Sequence, residues 1–288
     1  MIQLPSVLLI GVQKAGTSAI ADWLFDGGFR RPLVFGDEPY FYSKETHFFD
    51  IDSRFHQGVD FYARRFHDNG ESGPALDATP DTFQFAERVR AIYEAAGGNQ
   101  ANTVKLIAIL RDPVARELSF YNHLAFDCRN LDPSQLNGWH KQVTGRDGSI
   151  LSFDEFVRSV SVPALRTDES DHGAGRSSRH GLYATHLQRW FDLFSRREQI
   201  LVLSYDELRR NPRKLQDRIQ NFLGRTIPGN LTRTNANESK HKIRSPSPSA
   251  RQLLVSVLEP DCKRLYEMLE AHPGPPMEQR PFPRFESG

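Results

Sequence analysis

The sequence predicts an α/β fold of the P-loop type, with three layers in which a central parallel sheet is flanked by helices. Short aliphatic runs at 7–12, 104–110 and 199–204 are typical of strands buried on both faces of a parallel sheet. Helix-length stretches alternate with these strands, which favours parallel pairing through right-handed crossovers. The first strand also runs into a glycine-containing loop, residues 11–18, that opens a helix.

Local signals place the remaining elements. Ser152 and Glu155 form a capping box, which predicts a helix at 151–160. Residues 161–180 are rich in Ser, Gly, Arg and Asp, and we expect a mobile lid there. In chain order, the sequence further predicts helices at 17–26, 58–67, 81–95, 114–125, 182–195, 212–223 and 248–270, with a short strand at 74–77.

The first loop has the spacing of an anion-binding loop. Gly11 and Gly16 enclose four residues, and Thr17 and Ser18 follow where the helix begins. Backbone N–H groups and hydroxyls in such a loop bind phosphate. A Walker A loop has lysine directly after its second glycine, whereas here the lysine lies earlier, as Lys14. The loop therefore predicts phosphate binding, with its cation directed at a different bond from the one an NTPase cleaves.

The strand at 104–110 ends in a second polar motif. Arg111 follows the strand directly, and Ser119 lies two turns into the next predicted helix. Because ligands bind beyond the carboxyl ends of parallel strands, Arg111 and Ser119 could converge on one anion. Taken one at a time, each residue has a simpler interpretation. Arg111 could form an ion pair with Asp112, and Ser119 could be an ordinary helix serine.

Together these motifs resemble those of sulfotransferases that use 3′-phosphoadenosine 5′-phosphosulfate (PAPS). The family's Gly-x-x-Lys-x-Gly-Thr-Thr/Ser loop is similar to residues 11–18, and its Arg-Asp-Pro-x-x-Arg motif followed by Ser is similar to residues 111–119. The stretch Lys-Glu-Thr-His-Phe-Phe-Asp at 44–50 resembles a motif of the heparan sulfate N- and 3-O-sulfotransferase group and its bacterial relatives. The likeness covers most of the chain, residues 5–270.

The resemblance implies direct in-line transfer of a sulfuryl group from PAPS to an acceptor hydroxyl or amine, with adenosine 3′,5′-bisphosphate as the product. It implies that Lys14 stabilises the leaving phosphate, that Glu45 is the general base, and that His47 and Asp50 lie beside the acceptor. Without the resemblance, Lys44 and Glu45 could be a solvated ion pair and His47 a packing histidine. The implied nucleotide contacts are Gly11, Gln13, Lys14, Ala15, Gly16, Thr17, Ser18, Arg111 and Ser119, with Lys240, Lys242 or Arg244 covering the phosphates.

The chain departs from this group on the acceptor side. Asp77-Ala78-Thr79-Pro80 stands where the group has Glu-Lys-Thr-Pro, so a lysine is missing, although Asp77 remains a predicted acceptor-binding residue. Lys plus Arg (37) and Asp plus Glu (36) nearly cancel, so no global field attracts a polyanion. We therefore expect a small-molecule or carbohydrate acceptor and no nucleic-acid partner.

Composition limits the other classes of function. Cys128 and Cys262 are far apart and the ten histidines show no ligand spacing, so we expect no metal. No apolar run reaches the roughly 20 residues that span a bilayer, and the first predicted strand leaves no room for a signal peptide. We expect a soluble, cytoplasmic protein without a membrane partner, forming one sulfotransferase domain at 1–272 and a Pro-rich tail at 273–288. The sequence does not indicate an oligomeric state.

Two rival interpretations stay open at the level of sequence. An ATP-dependent P-loop kinase would fit the loop only if the displaced Lys14 were tolerated and a carboxylate held magnesium. A non-catalytic nucleotide- or glycan-binding protein would bind its ligand whether or not Glu45 were present.

Overall fold

The computed structural model describes residues 2–36, 38–67, 72–167, 176–195, 198–232 and 243–271. Within these ranges, four strands form one sheet in the order β2-β1-β3-β4, and every pairing is parallel. The strands are β1 (Val7–Gly11), β2 (Leu76–Asp77), β3 (Lys105–Leu110) and β4 (Ile200–Ser204). The four predicted strands and the predicted parallel α/β class are confirmed.

Helices connect and cover these strands. Helix α1 packs against β1, and α10 and α11 pack against β4. The helices are α1 (Thr17–Asp26), α2 (Asp52–Phe55), α3 (Gly58–Arg64), α4 (Ala86–Ala95), α5 (Gln100–Thr103), α6 (Pro113–Asn130), α7 (Phe153–Phe156), α8 (Val162–Arg166), α9 (Tyr183–Leu193), α10 (Tyr205–Arg210), α11 (Pro212–Leu223) and α12 (Pro248–Ala271). Short 3₁₀ turns occur at Tyr40–Ser43, Pro80–Gln84, Pro133–Gln135, His140–Val143 and Arg176–Gly181, and a π-helical turn at Val157–Ser161.

The described residues fall into two compact units. The first contains the whole sheet and is built from described residues within 1–111, 185–234 and 268–282. The second is built from described residues within 112–184, 235–267 and 283–288, and its apolar core lies around α6. The single domain at 1–272 stays a prediction, and the Pro-rich tail lies outside the described residues.

The capping box at Ser152 is confirmed. Ser152 Oγ accepts a hydrogen bond from the Glu155 backbone (3.3 Å), and the Glu155 carboxylate accepts one from the Ser152 backbone (2.7 Å). The helical segment that it starts continues through the π-helical turn into α8, so it extends to Arg166, beyond the predicted end at 160.

The expected mobile lid at 161–180 is wrong for the residues that the structure describes. Helix α8 occupies 162–166, and in the turn Arg176–Gly181 every residue after Arg176 is buried. Ser178 Oγ donates to the buried carboxylate of Glu117, so a polar segment is held in the interior by a hydrogen bond. Residues 168–175 lie outside the described ranges.

Candidate active site

The loop after β1 is fixed by its backbone. The Val12 N–H donates to the Ile109 carbonyl of β3 (3.0 Å), and the Ala15 N–H donates back to the Val12 carbonyl (3.2 Å). Lys14 and Gly16 both have left-handed backbone angles, with φ of 68° and 95°. Alternation of this kind turns successive N–H groups toward one side, which forms a concave anion-binding surface.

Helix α1 begins at this loop without a cap of its own. No described side chain caps its N-terminus, and its first turn contains no acidic residue. The positive end of the helix dipole therefore faces the loop without a compensating carboxylate in that turn. Thr17 and Ser18, the first two residues of the helix, add hydroxyl groups at this point.

Gly16 is required by space as well as by backbone angle. A Cβ at this position would lie 2.7 Å from Leu208 Cδ2 and 3.2 Å from the Tyr205 ring. Leu208 is buried, so it cannot simply turn into solvent. The α10 segment thus packs against the underside of the loop and holds it close to the sheet.

We expect Gly16→Ala to lower the free energy of unfolding by about 2–5 kcal/mol, because left-handed strain and overpacking combine. Gly97→Ala is the matched control, because Gly97 also has a positive φ (74°) but nothing lies within 4 Å of its added Cβ. That control should lose only about 1–2 kcal/mol. Urea denaturation measures both values, and equal losses would show that contact with α10 does not constrain the loop.

Arg111 lies at the loop, as its position after β3 predicts. Its Nη1 donates to the Lys14 carbonyl (2.9 Å), and its guanidinium stacks over the Tyr205 ring at 4.6 Å. Ser119 is half-buried on α6 and Arg244 is exposed, and both belong to the second unit. Lys240 and Lys242 lie outside the described residues.

Glu45, His47 and Asp50 form a connected cluster. His47 Nε2 lies 3.4 Å from Glu45 Oε2, and His47 Nδ1 lies 2.9 Å from Asp50 Oδ2. Glu45 and His47 are two positions apart, a spacing that brings side chains to one face of an extended segment. They do meet, but His47 has a left-handed φ of 48°, so a turn rather than a strand brings them together.

The cluster favours charged side chains. Burial disfavours the imidazolium of His47, but hydrogen bonds to Asp50 and Glu45 outweigh it and raise the pKa of His47 well above its usual range. Burial likewise opposes ionisation of Glu45, yet the His47 hydrogen bond and the charge of Lys44 lower its pKa. At neutral pH the cluster therefore contains an ionised Glu45 held by a protonated His47.

A metal ion has one candidate position among the described residues. One ligand atom from each of His47, Asp50 and Asp81 lies within 4.8 Å of the other two. The raised pKa of His47 favours the imidazolium, which cannot coordinate a metal. The donor set therefore suits an internal ion pair better than a cation site.

Lys44 connects this cluster to the loop. Its Nζ donates to Ser18 Oγ (2.9 Å) and to Glu45 Oε1 (2.7 Å). The sequence shows Lys44 only as the neighbour of Glu45, and the contact with Ser18 could not be read from it. The candidate base and the anion-binding loop are thus linked by one ammonium group.

Asp77 lies beneath the cluster. Its carboxylate is 2% exposed and accepts from the hydroxyls of Thr46 (2.6 Å), Thr79 (2.6 Å) and Tyr62 (2.9 Å). Burial raises its pKa, although these donors act in the opposite direction. Asp77 is predicted to bind the acceptor. In the structure its carboxylate holds the hydroxyl of Thr46, the residue between Glu45 and His47 in the sequence.

Two arginine side chains also support this segment. Arg54 donates to the Thr46 carbonyl (2.8 Å) and to Glu38 (3.0 Å), and the buried Arg65 also binds Glu38 (2.6 Å). The Arg65 hydrogen bond lowers the pKa of Glu38 to about 2, against the effect of burial. No motif in the sequence indicated these residues.

A family model described as a sulfotransferase domain matches residues 4–252. The chain belongs to the sulfotransferase domain family. This confirms the resemblance seen in the three motifs, and residues 4–252 include the loop, the cluster of Glu45, His47 and Asp50, and Arg111.

Curated relatives of this sulfotransferase domain are heparan sulfate enzymes by name. The bifunctional heparan sulfate N-deacetylase/N-sulfotransferase 2 of Bos taurus is 30% identical over 241 residues, which are 81% of this chain and 23% of the relative. The heparan sulfate glucosamine 3-O-sulfotransferase 5 of Homo sapiens is 24% identical over 233 residues, 81% of this chain and 56% of the relative. The chain thus spans about a quarter of the first relative and about half of the second.

A solved structure shares the fold of this sulfotransferase domain. A sulfotransferase from Alicyclobacillus acidocaldarius superimposes with a TM-score of 0.62 at 23% identity, covering 93% of this chain and 97% of that chain. Within the described ranges, no helix combines the length and the apolar character needed to cross a bilayer.

Proposed function

We propose that this sulfotransferase domain moves a sulfuryl group from PAPS directly, in line, to a hydroxyl or amine of an acceptor. The observation that carries the proposal is the position of Glu45, an ionised carboxylate tied through Lys44 to the anion-binding loop. In-line transfer requires a base and a phosphate site that face the same small volume. Family membership supports the same reaction.

The loop residues suit the nucleotide. Gly11, Gly16, Thr17 and Ser18 would hold the 5′-phosphate through N–H groups and hydroxyls, as at other helix N-termini. Gln13 Oε1 is buried without a hydrogen-bond partner among the described residues, and a nucleotide hydroxyl or amine would supply the missing donor. Ala15 is fully buried within the loop and its N–H donates to the Val12 carbonyl (3.2 Å), so it would shape the site through the backbone.

PAPS supplies the sulfuryl group and a phosphate leaving group when it is bound. Lys14, within the loop, would stabilise negative charge at the bridging oxygen as the bond to sulfur breaks. Glu45 would take the proton from the acceptor hydroxyl or amine. His47, held by Asp50, would keep Glu45 oriented and ionised, and no step requires a metal ion.

The acceptor side favours a small molecule or a carbohydrate of low charge. The relatives' names specify heparan sulfate, a polyanion, but the position of the missing lysine is the fully buried Ala78 in this chain. Glu45, Asp50 and Asp81 surround His47 with negative charge. Glu45 and Asp50 belong to the motif at 44–50 that resembles the heparan sulfate group, so Ala78 in place of the lysine is the feature that favours an acceptor of low charge.

Calorimetric titration with adenosine 3′,5′-bisphosphate, ATP–Mg²⁺ and 5′-AMP tests the proposal. We expect the bisphosphate to bind tightest and Arg111→Ala to weaken it by about 10–100-fold, as expected when a hydrogen bond to a charged group is lost. Ser119→Ala tests the second residue of the 3′-phosphate motif. Arg213→Ala is the control, because Arg213 is exposed and pairs with Asp217 on the same helix. Preference for ATP–Mg²⁺ would instead support a kinase.

A further inference from the structure

We propose that Lys44 is a positioning residue that joins the nucleotide loop to the base through a single ammonium group. It orients the Ser18 hydroxyl toward the 5′-phosphate and holds Glu45 toward the acceptor. The inference rests on the proposed function. It gives a role to Lys44, which belongs neither to the loop motif nor to the proposed base. The two hydrogen bonds to Ser18 Oγ and Glu45 Oε1 carry it.

Lys44 is held in place, unlike a lysine in a solvated surface pair. Its side chain is only 16% exposed, and that of Glu45 is 23% exposed. Its backbone carbonyl accepts a hydrogen bond from the Ala78 N–H (3.1 Å), directly after β2. Because the backbone and the ammonium are both fixed, the side chain has little freedom to leave Ser18 and Glu45. Exposed pairs, by contrast, contribute little and exchange with water.

The contact with Ser18 determines which way its hydroxyl points. An ammonium group can only donate, so Ser18 Oγ accepts from Lys44 and its own hydrogen remains to be donated elsewhere. Ser18 is exposed in the first turn of α1, beside the loop. Its hydroxyl is therefore oriented to donate to an anion at the helix N-terminus.

The contact with Glu45 holds the carboxylate from a second side. Lys44 binds Oε1 while His47 faces Oε2, so the carboxylate plane is fixed between two cations. Each carboxylate oxygen still has a lone pair that can take the proton from the hydroxyl or amine of the acceptor. A purely structural ion pair would affect only stability, whereas a joining role links Lys44 to nucleotide affinity and to the ionisation of Glu45.

A mutant cycle with adenosine 3′,5′-bisphosphate tests the first half of the role. We expect Lys44→Met and Ser18→Ala each to weaken binding by about 5–20-fold, and the double variant to be no more than about twofold weaker than Ser18→Ala. Lys44→Arg should restore most of the affinity. Lys263→Met, at an exposed lysine paired with Glu259, is the control and should bind as the wild type does.

Carbon-13 NMR titration of the Glu45 carboxyl group, without ligand, tests the second half. Lys44→Met should move its titration to higher pH, and Lys44→Arg should return it toward the wild-type position. Failure of the wild type to bind the bisphosphate would overturn the proposed function. If the wild type binds, either additive losses in the cycle or an unmoved Glu45 titration would overturn the role of Lys44.

Discussion

Replacing Glu45 with glutamine should lower the rate of sulfuryl transfer by about 10²–10⁴-fold, the usual contribution of a positioned general base. Glutamine keeps the shape of the side chain but cannot take a proton from the acceptor. Binding of adenosine 3′,5′-bisphosphate should change only a few-fold, because the loop itself is intact. The measurement is release of the bisphosphate from PAPS with an acceptor identified from a panel of amines and sugars.

A matched control variant and two contrary outcomes make the Glu45→Gln measurement decisive. Glu94→Gln alters an exposed glutamate that pairs with Arg90 on the same helix, and it should leave the rate unchanged. Full activity in Glu45→Gln would exclude Glu45 as the base. Nucleotide binding by the wild type without turnover of any acceptor in the panel would instead favour a non-catalytic binding protein.

The pH dependence of the wild-type rate follows from the same cluster. The lowered pKa of Glu45 keeps the base ionised below its usual value of about 4.3, so the rate falls only as the pH drops through that lowered pKa. The raised pKa of His47 keeps its charge above the usual value of about 6.5. Support from the imidazolium is lost only as the pH rises through that raised pKa. We therefore expect a broad plateau across neutral pH.

Asp77→Ala should be the most destabilising single change at the site, with a loss of about 3–5 kcal/mol in the free energy of unfolding. It leaves the buried hydroxyls of Thr46, Thr79 and Tyr62 without their common acceptor. Chemical denaturation measures the loss. Because Thr46 lies between Glu45 and His47, transfer activity should fall even at temperatures where the variant remains folded.

A conservative replacement separates the effect of the Asp77 charge from the effect of the hydrogen bonds that its side chain accepts. Burial raises the pKa of Asp77, so its ionised form opposes folding at neutral pH, and the three hydroxyl donors offset this cost only in part. Asp77→Asn keeps the shape and one acceptor oxygen, and its loss should lie between zero and that of Asp77→Ala. Asp26→Ala, at the exposed C-terminal end of α1, is the control and should be near neutral. Similar losses at positions 26 and 77 would contradict the supporting role.

The sequence predicts the parts of the site that depend on neighbouring residues. The loop at 11–18, the strand that carries Arg111 and the adjacency of Glu45 and His47 each arise within a few positions of chain. Asp77 differs, because its position in the sequence does not reveal that Thr46, Thr79 and Tyr62 surround its carboxylate. Its burial follows from tertiary packing of distant segments.

Contacts between distant segments also explain the other features that the sequence did not predict. Arg54 binds both the Thr46 carbonyl and Glu38, and no periodic pattern in the sequence connects these residues. The segment at 176–181 is polar enough to suggest a mobile lid, yet Glu117 supplies a buried partner for Ser178. Polar composition predicts exposure only when no such partner is available elsewhere in the fold.

The parallel sheet has a consequence for the order in which the chain folds during synthesis. The loop that follows β1 is held by Ile109, by Arg111 across 97 positions, and by Leu208 beneath Gly16. None of these partners exists when residues 11–16 leave the ribosome. Because contacts between distant segments form slowly, the loop at 11–18 should reach its final shape only after β3 and α10 have been made. A chain released before α10 would thus contain every residue of this loop without the packing that shapes it.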